Sequence, residues 1–140
     1  MNTQNINKIA LVIIKDNQIL ATKGKGQDNW QIPTTVPKDL ETDVEALTRL
    51  AKEHLSAVLR PETVRQLETY LVHAHSHGGN DEKTDKAQVR LKCYVGELQG
   101  TPEATERIEK VDYLWFSEKH LLLQAYFGLL DELHDKGQLE

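Results

Sequence analysis

Residues Trp30–Ala57 read WQIPTTVPKDLETDVEALTRLAKEHLSA, and the middle of that stretch carries the marks of one helix. Thr42 followed by Glu45 is a capping-box pattern, in which the hydroxyl and the carboxylate each satisfy an orphan backbone N–H at the helix start. The Arg60-Pro61 pair sets the latest end, because a residue before proline is pushed away from helical geometry. At about 100° per residue, with Arg49 at zero, Leu47, Val58, Ala51, Val44 and Leu55 fall between about 160° and 240°. That stripe is the expected buried face. Glu53 at about 40°, Leu50 at about 100° and His54 at about 140° share a second face beside it.

The spacing resembles the Nudix box, GX5EX7REUXEEXGU with U a bulky aliphatic residue, laid over Thr35 to Ala57. Glu41, Arg49 and Glu53 match it. Thr35 stands at the first glycine, Leu50 at the Glu after the Arg, His54 at the second Glu of the pair and Ser56 at the late glycine. The resemblance implies an α/β (α+β) fold, a Nudix-like α/β/α sandwich with a mixed β-sheet between helices. It runs from about Lys8 to Leu133 and takes in GELQGTP and VDYLWFSEKHLL as late strand, connection and last helix.

In that family the helix and the loop before it hold magnesium against the diphosphate of a nucleoside diphosphate linked to another group. Water attacks phosphorus while the metal neutralises the developing charge. By resemblance, the catalytic candidates are Glu53, Glu41 and Arg49, and the metal candidates are Glu53 and His54. The implied cofactor is a divalent metal, Mg or Mn, weakly bound if at all. Magnesium wants oxygen ligands, and an imidazole suits a softer ion better. On this reading Leu50→Glu with His54→Glu is expected to restore magnesium affinity. Lys23 and Lys25, in a basic loop after the second strand, are the substrate-binding candidates by the same resemblance. A carboxylate from a later loop is a further ligand or base candidate in the family, here Glu82, Glu103, Glu106 or Glu109, with Glu106 and Glu109 first. The implied function is hydrolysis of a nucleoside diphosphate-linked substrate with a degenerate metal site and weak or altered activity. The alternative is a catalytically inactive nucleotide-binding or regulatory domain.

The chain has 140 residues, 39% of them hydrophobic, and a net charge of -5. One domain over residues 1–140 is expected, burying roughly two-thirds of its unfolded surface. The acidic balance argues against a nucleic acid polymer or an anionic membrane as partner, and leaves a small nucleotide derivative as the expected one. A homodimer is left open. A single cysteine, Cys93, cannot form an internal disulfide and suits a reducing compartment. MNTQNINK lacks the basic and apolar regions of a secretory leader, so a cytoplasmic location is expected.

Ile9–Ile14 (IALVII) is continuously apolar, as in a strand covered on both faces. Asp16 and Asn17 turn it into a hairpin with Gln18–Thr22. Pro33 and Pro37 bias Ile32 and Val36 toward extended backbone. Gln66–His75 is expected as a strand with Leu67, Thr69, Leu71, His73 and His75 on one face. Gln88–Leu98 should alternate, with Val89, Leu91, Cys93 and Val95 inward. Val111–Phe116 is the next strand, and Leu121–Lys136 a helix stopped by Gly137. His73, His75 and His77 would point one way on an extended strand, a weak zinc or nickel pattern. Alternate side chains there lie about 7 Å apart, so one ion needs a bent strand to meet all three.

Overall fold

The computed structural model describes residues 5–74 and 87–140. Among these residues, seven strands and two α-helices follow one another as β1 (Asn5–Val12), β2 (Ile14–Lys15), β3 (Gln18–Gly24), β4 (Thr34–Thr35), α1 (Asp43–Leu55), β5 (Val58–Ala74), β6 (Ala87–Gln99), β7 (Ile108–Leu114) and α2 (Phe127–Asp135). One sheet has the order β4-β1-β6-β5, and the other β2-β3-β7. The first is mixed: β1 runs parallel to β6, while β4 and β5 are antiparallel to their neighbours.

The apolar run of β1 explains the layering. Ile9, Leu11 and Ile13 join Ala46, Leu47, Leu50, Ala51 and Leu55 of α1 in one core. Ala10 and Val12 join Leu129, Leu130 and Leu133 of α2 in the other. A strand whose two faces each meet a helix has no polar side to show, and each buried leucine contributes roughly 1.5–3 kcal/mol. The α/β/α sandwich expected from the sequence is therefore the observed one. Among the described residues, no helix is long and apolar enough to cross a membrane.

Several boundaries differ from the expectation. The first hairpin is split at Ile13, which leaves β1 in one sheet and β2 in the other. Asp16 and Asn17 make its turn with φ of 53° and 64°, the left-handed pair that a two-residue hairpin needs. The helix stripe loses Val58, which is 58% exposed and opens β5, and gains Ala46. β5 begins well before Gln66 and carries Pro61, tolerated because β5 is an edge strand with a register shift between Arg60 and Arg65. A second shift between Gln66 and Thr69 changes which side chains share a face. Leu67 and Tyr70 pack on the α2 core, and Leu71 is exposed.

The last helix is shorter than its pattern. Two 3-10 turns, Phe116–Leu121 and Gln124–Tyr126, precede it. The Trp30 N–H donates to the Leu121 carbonyl at 2.9 Å and the Leu123 N–H to the Trp30 carbonyl at 3.3 Å, so this backbone is drawn into bridging before α2 can start. Leu122, Tyr126, Leu129 and Leu133 are buried as expected. Gly137 follows the helix at φ 76°.

α1 ends at Ser56, whose φ of 52° and ψ of 38° are left-handed, with its N–H donating to the Ala51 carbonyl. A side chain at that conformation is strained, and glycine is the residue that relieves it. Ser56→Gly should stabilise the protein by about 0.5–1 kcal/mol, read as a higher urea midpoint. An unchanged or lower midpoint would show that the serine cap carries no strain.

Candidate functional site

The N-terminus of α1 is fixed by its own side chains. The Thr42 hydroxyl accepts from the Glu45 N–H at 3.1 Å, and Glu45 Oε1 accepts from the Thr42 N–H at 2.8 Å. The capping box read from the sequence is present, and it commits the Glu45 carboxylate to the backbone. Asp43, in the first helical turn, takes a short hydrogen bond from the Tyr94 hydroxyl and an ion pair at 3.3 Å from Lys92. These two contacts anchor the helix start to β6.

Arg49 organises the loop before the helix. Its Nε donates to Glu41 Oε2 at 3.0 Å and its Nη2 to Glu41 Oε1 at 2.9 Å, a bidentate pair. Nη2 also donates to the Val36 carbonyl at 3.2 Å, and Nη1 meets Glu53 Oε1 at 3.5 Å. The Lys38 N–H adds a further bond to Glu41 Oε1 at 2.8 Å. The matched positions Glu41, Arg49 and Glu53 are thus brought together, and Val36 joins them through a backbone atom that side-chain reading could not supply. The Arg49 hydrogen bonds, and then the Lys38 amide, hold the Glu41 carboxyl at about 2, well below its ordinary 4.5.

Glu53 differs from Glu41. Its side chain is 47% exposed, and the Arg49 contact is long, so this ion pair is weak and one carboxylate edge faces solvent. His54 is partly buried beside it: burial depresses its pKa, Glu53 opposes that, and the charges of Arg107 and Arg49 reinforce it. Leu50 is fully buried in the α1 core. It therefore belongs to the apolar stripe and does not share an open face with Glu53 and His54.

In the loop, Thr34 and Thr35 are extended and paired as β4 to Ala10 and Ile9. Val36 is 51% exposed, and Leu40 is fully exposed at φ 67°. At the other end of α1, the Glu103 N–H donates to the Leu55 carbonyl at 2.8 Å, which brings the connection after β6 to the helix C-terminus. Glu103, Glu106 and Glu109 are exposed. Lys23, next to the end of β3, is partly buried, and Lys25 beyond the strand is exposed. Arg107 and Lys110, which sequence reading did not single out, lie across from these lysines. Among the described residues, no three His, Cys, Asp or Glu side chains are grouped to hold a metal ion. Glu82, His75 and His77 lie outside the described residues, as does the side chain of His73.

Leu50→Glu would place a carboxylate in a packed apolar core, so it is expected to lower stability by on the order of 3 kcal/mol and to leave magnesium affinity unrestored. This revises the expectation for the Leu50→Glu, His54→Glu double variant. An unchanged urea midpoint would show that position 50 reaches solvent. A second prediction concerns Glu41. Its folded-state pKa is depressed, so the stability it contributes is present above pH 4.5 and is lost as pH falls toward about 2. Glu41→Gln should be less stable than wild type above that window and should flatten the pH dependence within it. Equal slopes in urea unfolding across a pH series would contradict the assignment.

A family model described as NUDIX domain matches residues 6–134. No curated protein matches the sequence. Among solved structures, a MutT NUDIX hydrolase from Burkholderia pseudomallei is 22% identical with a TM-score of 0.68, the alignment covering 91% of this chain and 97% of that one. The MutT protein from Methanosarcina mazei Go1 is 9% identical with a TM-score of 0.71, covering 98% of each chain. A UDP-X diphosphatase is 12% identical with a TM-score of 0.66, covering 98% of this chain and 66% of that one. At these identities the structures share the fold alone.

Proposed function

Because this chain belongs to the Nudix family, we propose that it takes a small nucleoside diphosphate-linked compound beside α1 and hydrolyses its pyrophosphate bond weakly or with altered requirements. One observation carries this reading. The bidentate Arg49–Glu41 pair fixes the loop against the helix, and Glu53, the remaining matched carboxylate, stands half-exposed on that frame. The similar fold of a UDP-X diphosphatase supports nucleoside diphosphate compounds as the first class to assay. Lys23 and Lys25 are the proposed phosphate contacts.

The family generally works with divalent metals, and the donor set among the described residues fits magnesium poorly. Glu41 is held by Arg49 and the Lys38 amide, and Glu45 by the helix cap. Leu50 offers no donor and is buried. Glu53 supplies one carboxylate and His54 one nitrogen, against the six oxygens about a magnesium ion. Manganese accepts that nitrogen more readily. What the chain's own residues do is hold the loop, through Arg49, and present Glu53 to solvent. A second reading, binding without turnover, is favoured by the burial of Leu50 at the position where the family pattern has a carboxylate.

The experiment is chromatographic detection of the nucleoside monophosphate formed from nucleotide sugars, dinucleotides and nucleoside triphosphates, with magnesium and with manganese. Turnover is expected to be slow, stronger with manganese, and at least tenfold lower in Glu53→Gln. No turnover above that variant in either metal would remove the hydrolase reading and leave the binding one.

A further inference from the structure

The residues after α2 fold back across the molecule. Gly137 sits at φ 76°, and its N–H donates to the His134 carbonyl at 3.0 Å while the Gln138 N–H donates to the Leu133 carbonyl at 2.9 Å. These are the two bonds of a Schellman turn, with glycine at its left-handed position. The reversed chain delivers Leu139 into the α2 core, where it is 1% exposed. Glu140 then bonds on both sides through its main chain: its N–H donates to the Asn17 carbonyl at 2.9 Å, and its oxygen accepts from the Phe116 N–H at 2.7 Å. The Asn17 side chain adds a long bond to the Gly137 carbonyl at 3.5 Å. Asn17 belongs to the β2–β3 turn and Phe116 opens the first 3-10 turn, so four residues bridge two segments that are far apart in sequence.

The segment gripped at Phe116 leads to the loop before α1. At its far end the Leu121 carbonyl and the Leu123 N–H bond to Trp30, and Phe116, Leu121, Leu123 and Trp30 all pack against the α2 core. One residue beyond Trp30, Gln31 bonds both ways with Thr22, and β4 and the loop held by Arg49 follow. Between its two ends the 3-10 turn meets α2 through side chains near the surface. Lys119 pairs with Asp131 at 2.8 Å and lies over the Phe116 and Phe127 rings, and Phe116 stacks on His134. The Asp131 side chain is 52% exposed, so that ion pair holds weakly. The buried Leu139 side chain contributes more than it does.

We propose that Gly137–Glu140 is a clasp: when Leu139 leaves the core, Phe116–Leu123 and Trp30 come free together as one unit while the sheet of β4, β1, β6 and β5 stays folded. Opening of a contiguous unit takes less free energy than unfolding the domain, and the clasp touches none of those four strands through its main-chain bonds. Its state sets how firmly the entry to the loop before α1 is held. The inference stands apart from the proposed substrate, since every contact in it lies within the chain. The two tryptophans of the sequence report on it directly: Trp30 is partly buried within the unit, and Trp115, next to Phe116, is 43% exposed.

The test is native-state hydrogen exchange, with tryptophan emission as a second readout, on the full chain, Leu139→Ala, Glu140→Pro and a chain ending at Gln138. Glu140→Pro removes the N–H that meets Asn17 and leaves Leu139 in place, so it reports even if loss of the leucine prevents folding. Exchange at the Phe116, Leu123 and Trp30 amides is expected to quicken about tenfold or more in Leu139→Ala and in the shortened chain, and by a smaller factor in Glu140→Pro. Tryptophan emission should shift to longer wavelength, while the amides of Ile9–Val12 keep their rates. Quickening at Phe116 alone, with Trp30 and Leu123 unchanged, would show that α2 holds the turn without the tail and would overturn the clasp. Equal quickening everywhere, Ile9–Val12 included, would mean that the tail opens only with the whole domain and would overturn it as well. Unchanged exchange in all three variants would do the same.

Discussion

One guanidinium holds the loop and the helix in register. Arg49 spends four of its donor contacts on Glu41, Val36 and Glu53, and each partner belongs to a different part of the stretch between β4 and the end of α1. A planar fork that is satisfied on two sides cannot rotate without losing bonds on both. The path of the loop from Val36 to Glu41 is thereby fixed against the helix. The capping box and the Asp43 contacts to Tyr94 and Lys92 secure the helix start independently, so α1 is held at its beginning and along its outer face.

This part of the site was legible because its interactions are local. Thr42 and Glu45 are close in sequence, and Arg49 lies one helical turn from Glu53, so periodicity alone puts them in reach. The burial of Leu50 was legible only in part. Its angle placed it beside Glu53 and His54, and the width of the stripe depended on Leu11 and Leu20 of β1 and β3, which reach the same core. The sandwich was legible from the run at Ile9–Ile14, since an unbroken apolar strand demands cover on both sides.

What escaped the sequence is what depends on pairing between distant segments. The start of β5 carries a proline, which argues against a strand until the chain is seen to lie at an edge. The register shift after Gln66 moved Tyr70 inward and Leu71 outward, and alternation cannot foresee an inserted residue. The shortening of the last helix follows from a bridge between Trp30 and Leu122. Arg107 and Lys110 were visible as charges, but only the β3–β7 register made them neighbours of Lys23 and Lys25.

The parallel pairing of β1 with β6 bears on how the protein comes into being. Asn5 aligns with Gln88 and Val12 with Val95, so β1 waits for α1 and β5 to be made before its central partner exists. Through that interval the apolar run has β4 beside it and α1 on one face, while its other face lacks the helix that will cover it. Such a long-range closure is slow and exposed to association with other nascent chains. The sheet's central seam is thus the last part of this core to close.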